Sequence, residues 1–381
     1  MRVILFYHSL ISDWNHGNAH FVRGTVSELV ARGHSVTVYE DEQAWSVTQL
    51  VRDHGPEALS GAHEVYPALR VVRYRSETLE LDAALDNADL VIVHEWSDPE
   101  LVERIGRERS SGGAFCLLFH DTHHRAVSAP EEMSRYDLSG FDGVLAFGNV
   151  LRDIYEARGW GRRVFTWHEA ADTRVFRPLP RTKAGPDVVW IGNWGDDERT
   201  RELDEFLLEP VKALGLSARV HGVRYPDTAL SALAQAGIEY GGWLPNYRAP
   251  EVFAESRVTV HVPRRFYSES LPGIPTIRPF EALACGIPLI SAPWQDSEGL
   301  FRPGEDFISV RDRAEMCDAL RDVLNDPERA AALAARGRET ILARHTCAHR
   351  VDELLAIYEQ VTQTSPQDAT FNDWSRDETR I

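Results

Sequence analysis

The side chains of this chain with the most chemistry to offer collect at the ends of short apolar runs. The run that opens at Val3 leads to His8, Ser9 and Asp13, and the run that closes at His94 leads to Glu95. Phe115–Phe119 leads to His120, Asp121, His123, His124 and Arg125, and Arg163–Trp167 leads to His168 and Glu169. Imidazoles, hydroxyls and carboxylates gathered in this way suit a polyhydroxylated ligand, because each can donate to it, accept from it or move a proton. A metal site in His120-Asp121-Thr122-His123-His124 is disfavoured: ligands adjacent on a turn diverge, and no second cluster supplies the remaining positions.

The second half carries a different chemistry. The segment Pro272-Gly273-Ile274-Pro275-Thr276-Ile277-Arg278 and onward to Pro288 reads as a tight loop, a short helix and the next buried strand. Gly273 and Thr276 lie where helix-terminal N–H groups meet an anion such as phosphate, and Arg278 adds fixed positive charge. Glu281, a turn or so further on, is placed to accept both hydroxyls of a ribose. The run ending at Ile191 continues into Gly192, Asn193, Trp194 and Gly195, with Arg199 close behind, so Asn193 and Arg199 are candidates for sugar or phosphate oxygens. The acidic triplet Asp196-Asp197-Glu198 reads as a solvated first turn. The loop from Trp14 to His20 lacks G-x-G-x-x-G, which argues against a nicotinamide enzyme, but Gly17 beside a helix start lets backbone approach a ligand.

Parallel strands must position these groups, since ligands bind beyond the carboxyl ends of such strands. Seven β-branched runs fill the first half: Val3–His8, Ser35–Glu40, Leu69–Tyr74, Leu90–His94, Phe115–Phe119, Gly143–Phe147 and Arg163–Trp167. Six more follow: Asp187–Ile191, Ala218–Val223, Ile238–Tyr240, Val258–Val262, Pro288–Ser291 and Asp306–Val310. Helical patterns alternate with them. In the first of these helices Val22, Val26, Leu29 and Val30 share one stripe, Asn18 is the expected N-cap and Gly33 the closing glycine. Pro210 is expected to end or kink the helix that begins at Thr200. Proline and glycine in 178–186 mark a linker, so the predicted division is 1–178, 179–350 and 351–381, the last a stripe of Val351, Leu354, Leu355 and Tyr358 followed by a polar tail. Trp194, Tyr225 and Trp243 read as core.

Composition narrows the function. Lys and Arg number 41 against 59 Asp and Glu, a net charge of −18, and no long basic block offers a grip on nucleic acid. No apolar run approaches a membrane span or a signal segment, and four scattered cysteines suggest neither a disulfide framework nor a zinc cluster. A cytoplasmic location is the expectation.

In its ordered motifs the sequence resembles GT-B-fold glycosyltransferases of the family 4 type, and most of all the CgeB-like (spore-maturation type) group. The resemblance is carried by Ser12 to Phe21, Arg32-Gly33-His34-Ser35-Val36-Thr37-Val38, Phe119-His120-Asp121, Asp172 to Pro178 and Phe280-Glu281-Ala282-Leu283-Ala284-Cys285-Gly286-Ile287-Pro288. It implies an α/β protein of two Rossmann-like domains facing across a cleft, with the last helix crossing back to the first domain. It further implies transfer of a sugar from a nucleoside-diphosphate sugar, UDP-linked by default, to a hydroxylated acceptor, with retention and without a metal or other cofactor. Glu281 would bind the ribose, Gly273 to Arg278 the diphosphate and His120 the transferred sugar, while Gly17 and Asn18 would line the phosphate side from the first domain. An inverting version would need a base, with Asp13 or Asp121 the candidates. The chain departs from the pattern in two places. Glu269 stands twelve positions before Glu281, not eight, and Asn193 replaces a common arginine, leaving Arg199, Arg264 or Arg265 to supply its charge. Rival expectations are a nucleotide-sugar 2-epimerase or hydrolase of the same fold, and a non-catalytic nucleotide- or sugar-binding protein.

Overall fold

A computed structural model describes residues 1–15, 17–195 and 199–363. His16, the triplet Asp196-Asp197-Glu198 and the polar tail from 364 lie outside the described residues. The first sheet contains β1 (Arg2–Phe6), β2 (Ser35–Asp41), β3 (Val71–Tyr74), β4 (Leu90–His94), β5 (Cys116–Asp121), β6 (Gly143–Ala146) and β7 (Val164–Thr166). The second contains β8 (Val188–Ile191), β9 (Ala218–His221), β10 (Ile238–Tyr240), β11 (Val258–His261), β12 (Leu289–Ser291) and β13 (Ile308–Ser309). Each of the thirteen apolar runs therefore yields a strand, with ends shifted by one or two residues. Their order is β3-β2-β1-β4-β5-β6-β7 in one sheet and β10-β9-β8-β11-β12-β13 in the other.

Every pairing is parallel. Strands such as Leu90-Val91-Ile92-Val93 and Leu117-Leu118-Phe119 are buried on both faces, which is why they read as unbroken apolar runs rather than alternating ones. In both sheets the order reverses direction beside the first strand: between β1 and β4, and between β8 and β11. Loops diverge at such a switch point and leave a crevice at the carboxyl ends.

The shifted strand end that bears on the site is that of β5. It runs two residues beyond Phe119, so His120 pairs with His94 and Leu145, and Asp121 pairs with Ala146. Both residues thus belong to the sheet and not to the loop that follows.

The first helix, Asn18–Ala31, buries Val22, Val26 and Leu29, and Gly33 closes it at φ +85°. Its N-cap is Gly17, not Asn18, because the Asn18 amide is turned toward the first sheet's edge, where it donates to His94 Nε2 at 3.0 Å and Thr122 Oγ1 at 2.9 Å. The last helix, Cys347–Gln363, lies against this first helix and β5, although the second domain intervenes in sequence. A Cβ at Gly24 would stand 2.5 Å from Cys347 Sγ and 2.6 Å from Asp172 Cβ, so only glycine permits that approach. Trp167 Nε1 donates to the Arg350 carbonyl at 2.8 Å and fixes the register. Of the predicted stripe, Val351 and Leu354 are buried and Leu355 and Tyr358 pack against the same core.

Pro210 neither ends nor breaks its helix. A π-turn over Asp204–Leu208 precedes it, and Pro210 falls in the first turn of Glu209–Leu214, where its missing N–H is not needed. Trp194 is buried in the second core and Tyr225 packs against it, as expected, whereas Trp243 reaches the space between the domains. Three cysteines are buried, Cys317 is half-buried, and all four are free thiols. Among the described residues no helix is long and apolar enough to cross a membrane.

Candidate active site

The two switch points face each other across one cleft of about 620 Å³. Tyr7 and His8 after β1 and His94 at the end of β4 form the first domain's wall; Gly192 and Asn193 after β8 and Pro263 and Arg264 after β11 form the second's.

On the first wall, Tyr7 stacks on His94 with ring centres 4.6 Å apart, and His8 stacks on the same imidazole at 5.1 Å. His94 Nε2 lies 3.0 Å from the Asn18 amide nitrogen and from Thr122 Oγ1, and its Nδ1 lies 2.8 Å from Glu95 Oε2. Burial lowers the His94 pKa well below the ordinary imidazole value and keeps the ring neutral. The same burial pushes Glu95 up to about 8, against the pull of Arg125. Arg125 in turn lies over the Trp96 ring at 4.0 Å.

His120 and Asp121 do not reach this wall. Because β5 extends through both, His120 is enclosed by Tyr7, Phe21 and Trp167, with the Tyr7 hydroxyl bonded to its Nδ1. Burial lowers its pKa as well. Asp121 points to the opposite face, accepts from the Tyr155 hydroxyl at 2.7 Å and the His123 N–H at 3.0 Å, and is pushed up to about 7 by burial. Asp13 does line the cleft, but one oxygen accepts from Arg23 at 2.9 Å and from the Asn246 N–H at 2.9 Å. It ties the domains together rather than standing ready as a base.

The second wall is built around the helix Ile277–Cys285. Thr276 precedes it at φ +59°, a left-handed conformation that costs a β-branched residue about 1–3 kcal/mol, and lines the cleft at the helix N-terminus. Gly17 is pressed against this terminus, where a Cβ would come within 2.5 Å of Ile277 Cγ2. Arg278 also lines the cleft and bonds Glu281 behind it. Glu281 is fully buried, accepts from the Asn246 amide at 2.6 Å and faces His20 Nδ1 at 3.4 Å. Burial pushes its pKa up to about 7, with Arg278 and Asn246 opposing.

Arg199 donates to the carbonyls of Asn193 and, at 3.0 Å, Val262, so its guanidinium bridges the ends of β8 and β11. Arg264 lines the cleft beside it, whereas Arg265 pairs with Glu202. Asn193 reaches the other domain, donating to Asn15 Oδ1 at 2.6 Å and accepting from the Val223 N–H at 2.9 Å. Gly273 is displaced from the cleft: at φ +93° its N–H is used by the Gln295 carbonyl at 2.7 Å, and it packs on Ser297 and Glu298.

Of the twelve residues singled out in the sequence, the fold thus brings Asp13, Gly17, Asn18, Asn193, Arg199, Arg264, Thr276 and Arg278 to the cleft, sets Glu281 one layer behind it, and leaves His120, Asp121 and Gly273 elsewhere. His8, His94, His123 and His124, read as polar groups at strand ends, also line the cleft, whereas several other cleft residues carried no distinguishing sequence signal. Tyr7 and Trp243 resembled core aromatics, and Asn246 an ordinary loop residue. Glu169 was visible only as one more polar residue at a strand end.

Comparison with known proteins fits this architecture. Residues 199–356 match a family model described as glycosyl transferase-like. No curated protein matches the chain in sequence. The α-glucosyltransferase structure in complex with UDP superposes with a TM-score of 0.68 at 12% identity, over 94% of this chain and 99% of that one. The fold is GT-B. HepE from Anabaena in complex with UDP-glucose gives 0.64 at 13% identity over 94% and 100%, and sucrose-phosphate synthase from Thermosynechococcus elongatus gives 0.61 at 17% over 96% and 100%. In GT-B terms, the switch points of β1/β4 and β8/β11 form the opposed walls of the interdomain cleft.

Proposed function

We propose that the protein is a glycosyltransferase of the CgeB-like kind, cytoplasmic, moving a sugar from UDP to a hydroxylated acceptor with retention and without a metal. The observation that carries this reading is the asymmetry of the cleft. Its second-domain wall presents Arg199, Arg264, Arg278 and a helix N-terminus, whereas its first-domain wall presents, among the described residues, hydrogen-bonding rings, amides and carboxylates and neither arginine nor lysine. Cleaving a sugar–phosphate bond requires stabilising the charge that grows on the departing diphosphate. Preorganised guanidinium and backbone N–H groups do this best in a cleft that excludes water.

In this reading the diphosphate rests on Thr276 and Arg278. As Arg278 turns toward it, Glu281 is released to accept the ribose hydroxyls while the Asn246 amide keeps its place. His94 and Asn18 stand on the opposite wall to orient the acceptor or the transferred sugar. A retaining transfer needs no protein base, since a donor phosphate oxygen can take the acceptor proton from the face the sugar leaves.

A thermal-shift and calorimetry screen with UDP, GDP, ADP and dTDP, followed by turnover of the matching glucose donor, tests the proposal. UDP is expected to bind best and turnover to survive a chelator. Binding of none of the four sinks the donor reading. Sugar or epimer released without an acceptor replaces transfer by hydrolysis or epimerisation, and activity restored only by a divalent ion overturns metal independence.

A further inference from the structure

Among the described residues four carboxylates line the cleft: Asp13, Asp41, Asp98 and Glu169. Three are committed to the protein. Asp13 holds Arg23 and the Asn246 N–H, Asp41 accepts from the Gln43 N–H at 2.8 Å, and Asp98 caps its helix through the Glu100 N–H at 2.8 Å. Glu169 differs: it is only 6% exposed, and among the described residues no donor reaches its carboxylate. What surface it keeps opens on the cleft, where a ligand can supply hydrogen-bond donors.

Its place indicates which donors. Glu169 follows β7, and apart from burial the charges acting on it most are Glu281, in the middle of the helix Ile277–Cys285, and Arg278, at its start. It therefore looks onto the spot where a group attached to a diphosphate on Arg278 would begin.

We propose that Glu169 accepts hydrogen bonds from the hydroxyls of the transferred sugar and makes the site select a neutral, hydroxyl-bearing sugar over one that carries its own carboxylate. The inference rests on the donor reading above and deepens it. Burial, which pushes Glu169 up to about 8, is in keeping with a carboxyl that awaits hydroxyl donors rather than a cation. Above about pH 8, where Glu169 is ionised, a uronic acid in the same place would set like charges face to face, with Glu281 close by.

Calorimetry with UDP, UDP-glucose and UDP-glucuronate on the parent and on Glu169→Gln tests it. The titrations are run at about pH 9, where Glu169 is ionised and the isosteric Glu169→Gln removes the charge and exchanges one acceptor oxygen for an amide donor. The parent is expected to bind UDP-glucose more tightly than UDP-glucuronate. The variant is expected to keep UDP affinity within about twofold, lose about tenfold in UDP-glucose affinity, and narrow the gap between the two sugars. Glu169→Asp, which keeps the charge but shortens the reach, should lose UDP-glucose affinity and keep the discrimination. Equal changes for UDP and UDP-glucose, or none, overturn the proposal while leaving the donor reading intact. Failure of the parent to bind UDP and UDP-glucose overturns that reading itself.

Discussion

At the scale of single residues, the site is a set of ionisable groups whose charges are suppressed by burial. Glu95 and Glu169 are pushed up to about 8 and Asp121 and Glu281 to about 7, while His94, His120 and His20 are held below the ordinary imidazole range. The two sets have opposite linkage. Each raised carboxyl contributes stability that is fully present below its unfolded value of about 4.5 and is lost as pH climbs through its folded value. Each depressed imidazole contributes stability present above about 6.5 and lost as pH falls. Between about pH 6.5 and 8 only the carboxyls act. The nucleotide-free protein should therefore lose melting temperature steadily from pH 6.5 up to pH 8, which scanning calorimetry in a pH series will show. A rise in melting temperature over that window would contradict these assignments. Glu281→Gln should leave the helix Ile277–Cys285 in place yet weaken UDP by tenfold or more, since an amide cannot accept two ribose hydroxyls at once. Unchanged affinity in calorimetry would remove Glu281 from the ribose.

Elements matter here through where they stop and how closely they approach. β5 continues for two residues past its expected end, and that alone turns His120 and Asp121 from loop groups into sheet groups. The first and last helices meet at Gly24, which has no room for a methyl group beside Cys347 and Asp172. Gly24→Ala should accordingly destabilise the protein by about 1–3 kcal/mol, the usual cost of overpacking. Adding Cys347→Ala should recover part of that loss by removing one of the two obstructions. Additive losses in denaturant titrations would show that the two helices do not press on each other at this point.

For the whole molecule, the described conformation is a closed one, held by polar contacts that span the cleft. Asp13 meets the Asn246 N–H, Asn15 meets Asn193, and Glu298 accepts from His168 at 2.8 Å and from the Asn149 N–H at 2.7 Å. Glu298 thus closes the cleft while capping a helix of the first domain. Glu298→Gln weakens both bonds without changing volume, so its nucleotide-free form should show a larger radius of gyration in small-angle scattering than the parent. Nucleotide should draw the two together. Equal radii in the absence of nucleotide would mean that closure depends on other contacts.

The sequence alone determined the strands, the parallel α/β class and the two-part division, because burial on both faces demands continuous apolar runs such as Leu90–Val93, a property of local composition. It also pointed to a helix beginning near Thr276 and Arg278, since a loop running into a helix is written in consecutive residues. Which polar residues face the cleft was decided only by tertiary structure. His120 and Glu169 both follow apolar runs, but strand register buries one behind Tyr7, while the end of β7 turns the other toward the opposite domain. Facing direction depends on partners more than a hundred positions away, and no local pattern encodes it.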